Sequence, residues 1–232
     1  MTAEDYKDGQ LILIDKPLNW TSFQVVNKIR WLIRKQFNIK KIKVGHAGTL
    51  DPLASGLLIL CTGKFTKQIE NYQAQHKEYT GTFTLGGTTP SYDLETEIDQ
   101  TFDISAITEA QIHEATQQFI GEIQQQPPVF SALKKEGKRL YEYARAGETI
   151  EIPARSIHIS AFEITNIDLP TISFRVACGK GTYIRSLAHD FGKVLNNGAH
   201  LSALRRTKIG DYVVNDAISI EAFEAQLKST SS

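Results

Sequence analysis

The feature that most limits how this chain can fold is a pair of patterned runs hinged at one proline. Ser156 to Leu169 and Thr171 to Cys178 read as strands joined at Pro170. The second alternates cleanly, with Ile172, Phe174, Val176 and Cys178 on one face and Ser173, Arg175 and Ala177 on the other. Tyr79 to Leu85 alternates in the same way around Thr80, Thr82 and Thr84 and stops at Gly86-Gly87. Gln10 to Ile14 is a short apolar strand broken by Asp15-Lys16-Pro17. Helical signals stand between these runs. Thr21 to Gln24 and Thr108 to Gln111 have the spacing of capping boxes. The first predicts a helix to about Lys35 that buries Val25, Val26, Ile29, Leu32 and Ile33; the second predicts one through Ile112, Ala115 and Phe119, stopped at Gly121. Thr182 is placed to cap a third, whose apolar face is Ile184, Leu187, Ala188, Phe191 and Leu195, with Gly198 beyond its end. The mixture has no strict βαβ rhythm. It predicts an α+β fold, a mixed and largely antiparallel sheet flanked by helices, in a single domain over residues 1–232.

A chain of 232 residues can bury roughly 70% of its unfolded surface, so its core needs no disulfide or metal staple. The apolar run Leu11 to Ile14 is far too short for a signal segment or a membrane span, which predicts a cytoplasmic protein with no membrane partner. Cys61 and Cys178 make no CxxC pair and no Cys/His cluster at zinc spacing, so no metal is expected. Cys61-Thr62-Gly63-Lys64 and Gly179-Lys180-Gly181-Thr182 look suited to phosphate, but neither has the glycine and hydroxyl spacing of a P-loop. No cofactor is expected.

The formal charge is zero, yet it is segregated. Between Asp15 and Asp51 there is no acid but there are Lys16, Lys28, Arg30, Arg34, Lys35, Lys40, Lys41 and Lys43. From Arg175 to Lys208 seven cations face the single acid Asp190, and the stretch from Glu78 to Glu122 has no Lys or Arg. Each basic block by itself reads as a solvated helix face; together they suit a polyanion.

Gly45-His46-Ala47-Gly48-Thr49-Leu50-Asp51-Pro52-Leu53-Ala54-Ser55-Gly56-Leu57-Leu58 is the richest segment for chemistry. Taken alone, Asp51 before Pro52 reads as a helix N-cap with proline at N1, and His46 as a turn or core histidine. The segment resembles the G-H-x-G-x-L-D-P-x-A-x-G-x-L motif of the TruB family of tRNA pseudouridine synthases. Five further blocks match in order: Leu13 to Pro17; Lys77-Glu78-Tyr79; Ser131 to Lys134 with Gly137, Tyr141, Tyr143, Ala144, Arg145 and Gly147; Cys178 to Arg185; and Gly198-Ala199-His200 with Leu204-Arg205-Arg206.

The resemblance implies the pseudouridine synthase fold with an RNA-binding insertion over about residues 124–152. It implies tRNA as partner, through its T arm, with no guide RNA and no obligate protein partner. The uridine at position 55 of the T loop would be flipped out of its stack and isomerised. Asp51 would be the nucleophile, attacking C6 of the base or C1′ of the ribose, with Arg185 keeping its carboxylate ionised. Tyr79 would stack on the base and take part in proton transfer at C5. Tyr183 and Leu204 would line the pocket, His46 would fill the gap left by the flipped base, and Lys16 would hold phosphate. Lys134, Lys135, Lys138, Arg139, Tyr141 and Tyr143 in the insertion suit RNA. Two departures stand out. Fewer than about thirty residues follow Arg206, too few for the C-terminal PUA-type domain of longer members. The loop Thr88 to Asp93 matches the family's pattern at Asp93 but not at its glycine. The alternative function is a tRNA-folding chaperone in which catalysis is secondary, and a third reading is a guide-dependent subunit of the dyskerin type.

Overall fold

The threonine capping boxes start helices where the sequence places them. Thr21 and Thr108 each accept the backbone N–H of the residue three positions on, and Gln24 and Gln111 reach back to the cap. These contacts belong to a computed structural model that describes residues 1–131, 134–135, 138–139, 143 and 152–229. In chain order the elements are α1 (Ala3–Asp8), β1 (Leu11–Lys16), α2 (Ser22–Gln36), β2 (Val44–His46), β3 (Ala54–Thr62), a 3₁₀ turn (Gly63–Gln68), α3 (Ile69–Ala74) and β4 (Lys77–Leu85). There follow β5 (Gly87–Thr88), β6 (Gln100–Thr101), α4 (Glu109–Gln117), β7 (Gly121–Gln125) and the two-residue strands β8 (Lys134–Lys135) and β9 (Lys138–Arg139). The last are β10 (Arg155–Asp168), β11 (Thr171–Cys178), α5 (Ile184–Val194), β12 (Ala199–Ile209), β13 (Tyr212–Val213) and α6 (Ile220–Ser229).

The contacts fall into two compact units, Met1–Tyr79 with Leu204–Ser232, and Thr80–Ala203. Strands β4 and β12 run through the division.

In the first unit β3 is the central strand. It pairs antiparallel with β1 (Leu11↔Cys61 to Lys16↔Gly56) and parallel with β12 (Leu204↔Ala54 to Arg206↔Gly56). Leu57 to Thr62 are all buried, as expected of a strand covered on both faces. Its two-residue period sorts the side chains. Leu58 and Leu60 pack with Ile14 against Val26 and Ile29 of α2 and Phe223 and Leu227 of α6. Leu57 and Ile59 point the other way, to Ala47 and Ile209.

In the second unit the strand order is β12–β4–β11–β10–β7. Strands β10 and β11 are antiparallel from Ile159↔Cys178 to Asp168↔Thr171, and the predicted inward set, Ile172, Phe174, Val176 and Cys178, is buried. Phe83, Phe162, Phe174 and Phe191 form an aromatic core, with the Phe83 and Phe174 rings 4.2 Å apart.

One local expectation is corrected. Thr182 does not cap α5: its hydroxyl donates to the Gly179 carbonyl at 3.1 Å, and Tyr183 occupies the cap position without a side-chain cap bond. The Tyr183 N–H is satisfied instead by Gln125 Oε1 at 2.8 Å, while Gln125 Nε2 donates to the Tyr183 carbonyl. A partner 58 residues away takes over what the adjacent threonine was expected to do. Of the expected RNA-binding segment, residues 132–133, 136–137, 140–142 and 144–151 lie outside the described residues.

Candidate active site

Asp51 does not begin a helix. Pro52 and Leu53 make a turn closed by the Ala54 N–H donating to the Asp51 carbonyl at 3.1 Å, and β3 starts at Ala54. The structural reading of Asp51-Pro52 as a helix cap is therefore overturned. Proline suits this turn because its fixed φ needs no N–H partner.

The backbone on both sides of Asp51 is tied down. Ser22 Oγ donates to the Leu50 carbonyl at 3.0 Å and accepts the Leu50 N–H at 2.8 Å. The Asn19 N–H donates to the Pro52 carbonyl at 2.8 Å. Arg206, 1% exposed, donates from Nε to the Leu57 carbonyl at 2.8 Å and from Nη2 to the Gly48 carbonyl at 3.1 Å. Gly56, at φ +105°, lies so close to Arg206 that an added Cβ would meet its carbonyl oxygen at 2.3 Å. A side chain whose neighbours are fixed from three directions is preorganised, which is what a nucleophile or a general base needs.

Lys16 is corrected from a phosphate contact to an internal cation. It is fully buried, and its Nζ donates to the carbonyls of Pro17 (2.9 Å) and Trp20 (2.6 Å). Burial pushes its pKa down to about 8; the Asp51 carboxylate opposes this, and the Arg206 guanidinium reinforces it. Asp51 thus has a buried ammonium for an electrostatic neighbour. Asp15, which precedes Lys16 in the chain, is held by Arg205 through two bonds of 3.0 and 2.7 Å.

His46 ends β2 opposite Leu60, partly exposed. Burial lowers its pKa first and the Arg206 charge second, against a backbone contact with Gly48 that raises it, so the imidazole favours its neutral form. Tyr79 in β4 and Leu204 in β12, opposite Ala54, are both partly exposed in the same unit. Asp51, Lys16, His46, Tyr79 and Leu204 all belong to the first unit.

Arg185 and Tyr183 belong to the second unit. Arg185 is not the surface charge of a solvated helix: it is 4% exposed. Its Nη1 donates to the Phe130 carbonyl at 2.8 Å, and its Nε lies 3.6 Å from Asp93 Oδ2, itself buried. The Thr88 to Asp93 match pointed to Asp93 without naming its partner. Sequence reasoning also missed Ser22, Asn19 and Arg206 as supports of the Asp51 turn; Ser22 was visible only as part of a capping box. Among the described residues there is no cluster of His, Cys, Asp and Glu suited to a metal, and no helix is long and apolar enough to cross a membrane.

Residues 34–184 match the family described as TruB family pseudouridylate synthase, N-terminal domain, and residues 185–231 match the tRNA pseudouridylate synthase B C-terminal domain. The tRNA pseudouridine synthase B of Flavobacterium johnsoniae is 64% identical over 98% of this chain and 100% of its own length; that of Phocaeicola vulgatus is 55% identical over 94% and 93%. Among solved structures, a chain of a Cbf5-Nop10-Gar1 complex is 31% identical with a TM-score of 0.70. That match covers 95% of this chain and 55% of the other. The pseudouridine synthase fold follows from this likeness, and the family matches, which together take in residues 34–231, place the chain in the TruB family of pseudouridine synthases.

Proposed function

We propose that this enzyme isomerises a uridine in the T loop of tRNA, at position 55, without guide RNA. The observation that carries the reading is the tethered Asp51 turn beside a buried ammonium, in a chain similar end to end to tRNA pseudouridine synthase B proteins. The uridine is flipped out of its stack, with His46 filling the vacated space. The Asp51 carboxylate adds to C1′, displacing uracil N1, or adds to C6, after which the N1–C1′ bond breaks; the uracil turns, a C5–C1′ bond forms, and the bond to Asp51 breaks to return the free carboxylate. The C5 proton leaves to a base, for which Tyr79 is the candidate, and N1 ends protonated. Nothing is oxidised or reduced. Arg185 is proposed as the guanidinium that keeps the attacking carboxylate ionised, and Tyr183 and Leu204 as apolar walls that keep water from the detached ribose. Because C5 loses its hydrogen, tRNA labelled with tritium at C5 of uridine should release label in proportion to turnover. Release from other uridines with none from the T loop would overturn the reading.

The Lys16 ammonium gives this reaction a pH signature. Its pKa of about 8 means the amine is protonated below that pH and neutral above it. Activity should therefore fall as pH rises through about 8, as Asp51 loses its neighbouring cation, and Lys16→Arg should remove that limb. Unfolding cannot mimic the effect. The folded pKa lies below the ordinary 10.5, so the folded state binds fewer protons between the two values and this group's stability contribution rises with pH there. A Lys16→Arg profile that keeps the limb would refute the assignment.

A further inference from the structure

Strand β7 alternates, with Glu122 and Gln124 exposed and Gly121, Ile123 and Gln125 on the inward side, and Gln125 is 2% exposed. An inward strand position ordinarily takes an apolar side chain, because a primary amide withdrawn from water is costly unless its donors and acceptor are used. Gln125 directs both ends of its amide at one residue. Its Oε1 accepts the Tyr183 N–H at 2.8 Å, and its Nε2 donates to the Tyr183 carbonyl at 3.1 Å. The two bonds close a ring like one hydrogen-bonded rung of a strand pair. They also fix the amide's orientation, since the N–H needs the oxygen and the carbonyl needs the nitrogen.

The backbone at Tyr183 has little local support. It follows a turn in which Lys180 and Gly181 are exposed, and Gly181, at φ +83°, has open space where a side chain would stand. Tyr183 itself is extended, at φ −102° and ψ 110°, and α5 begins at the next residue. Its carbonyl also accepts the Leu187 N–H at 3.0 Å, so Gln125 occupies the second lone pair. Neighbouring bonds widen the junction. Ser186 Oγ donates to the Gln126 carbonyl at 2.7 Å, and Arg185 Nη1 to the Phe130 carbonyl at 2.8 Å. Gln126 Nε2 donates to the Ile152 carbonyl at 3.1 Å. The segment from Gln125 to Phe130 is thus tied to the start of α5 at Tyr183, Arg185 and Ser186, all within the second unit.

We infer that Gln125 is a positioning residue for the isomerisation: by clamping the backbone of Tyr183 it sets where the Tyr183 ring stands against the substrate. The inference rests on the functional reading above, in which Tyr183 shields the detached ribose. Bonds to the N–H and the carbonyl hold the backbone on both sides of the Tyr183 Cα, and the ring follows from that. If Gln125 only satisfied the backbone at a helix start, its loss would weaken the fold regardless of the side chain at position 183. A role exerted through the ring depends on the ring being there.

The test is a double-mutant cycle in the full chain with Gln125→Met and Tyr183→Ala. Pseudouridine formed in an unmodified tRNA transcript is measured, with melting temperature followed alongside. With Tyr183 present, Gln125→Met should lower kcat about 10- to 100-fold and leave KM within about threefold. In the Tyr183→Ala background the same change should lower kcat less than about twofold, because the ring it places is gone. Gln125→Glu gives a second measurement should the Met variant not fold. A protonated carboxyl offers the same acceptor and donor as the amide, whereas an ionised one sets only acceptors against the Tyr183 carbonyl. Burial raises a carboxyl's pKa, so the ratio of this variant's kcat to the wild type's should fall as pH rises through that raised value, with circular dichroism unchanged. Taking the ratio cancels the Lys16 limb, which both chains share. A wild-type kcat in Gln125→Met, equal losses in the two tyrosine backgrounds, or a pH-independent ratio in Gln125→Glu would overturn the inference. A wild-type chain that forms no pseudouridine in this transcript would overturn the functional reading and the inference with it, a result the wild type alone reveals.

Discussion

Asp51→Asn should lower pseudouridine formation by about 10⁴-fold or more while leaving tRNA affinity within severalfold of wild type. The two side chains have the same shape, and the turn that presents residue 51 is held through Leu50, Pro52 and Gly48, so the loss is one of chemistry and not of folding. Asp51→Glu keeps the charge but moves it by about one methylene, and displacement on that scale costs about 10²-fold. A second readout separates a reacting carboxylate from one that only shapes the pocket. Asp51 raises the Lys16 pKa, so its removal should move the Lys16 titration below about 8. Tritium release under single-turnover conditions measures the first effect, and NMR of the labelled lysine measures the second. An Asp51→Asn enzyme with more than a tenth of wild-type activity would refute the nucleophile assignment.

The fold was legible wherever local pattern and tertiary packing agree. The Thr21 and Thr108 caps, the β10–β11 pair hinged at Pro170 and the inward set on β11 are all set by spacing alone, and the structure reproduces them. The misreadings share one cause, which is that distant partners decide what a local motif does. Asp51-Pro52 has the chemistry of a helix start, but Arg206 and Ser22, from far along the chain, commit it to a turn before β3. Thr182 has the chemistry of a cap, but Gln125 satisfies the backbone beside it. Charge was the least legible property. Lys16, Arg185 and Arg206 count as basic in the sequence, yet each is buried and bonded to backbone carbonyls. Family resemblance brought Arg185 into the candidate site, but only the fold shows Asp93 as its buried partner.

Arg206 is the residue at which stability and chemistry are most closely joined. Arg206→Met keeps the buried bulk but removes the donors to the Leu57 and Gly48 carbonyls. Each acceptor left without a partner costs about 1–3 kcal/mol, so a total loss of roughly 2–6 kcal/mol is expected in denaturant unfolding. The Gly48 tether precedes Asp51 by three residues, and its release should lower kcat about 10²-fold with a smaller change in KM. The pH profile identifies the cause. Arg206 lowers the pKa of both Lys16 and His46, so its removal should shift the alkaline limb above pH 8, opposite to the shift expected from Asp51→Asn. Arg206→Lys keeps the charge and one donor, so the limb should stay near its wild-type position while kcat falls only in part. If Arg206→Met lowered stability but left kcat and the alkaline limb unchanged, the guanidinium would be a packing element alone, and the precision of the Asp51 turn would have to come from Ser22 and Asn19.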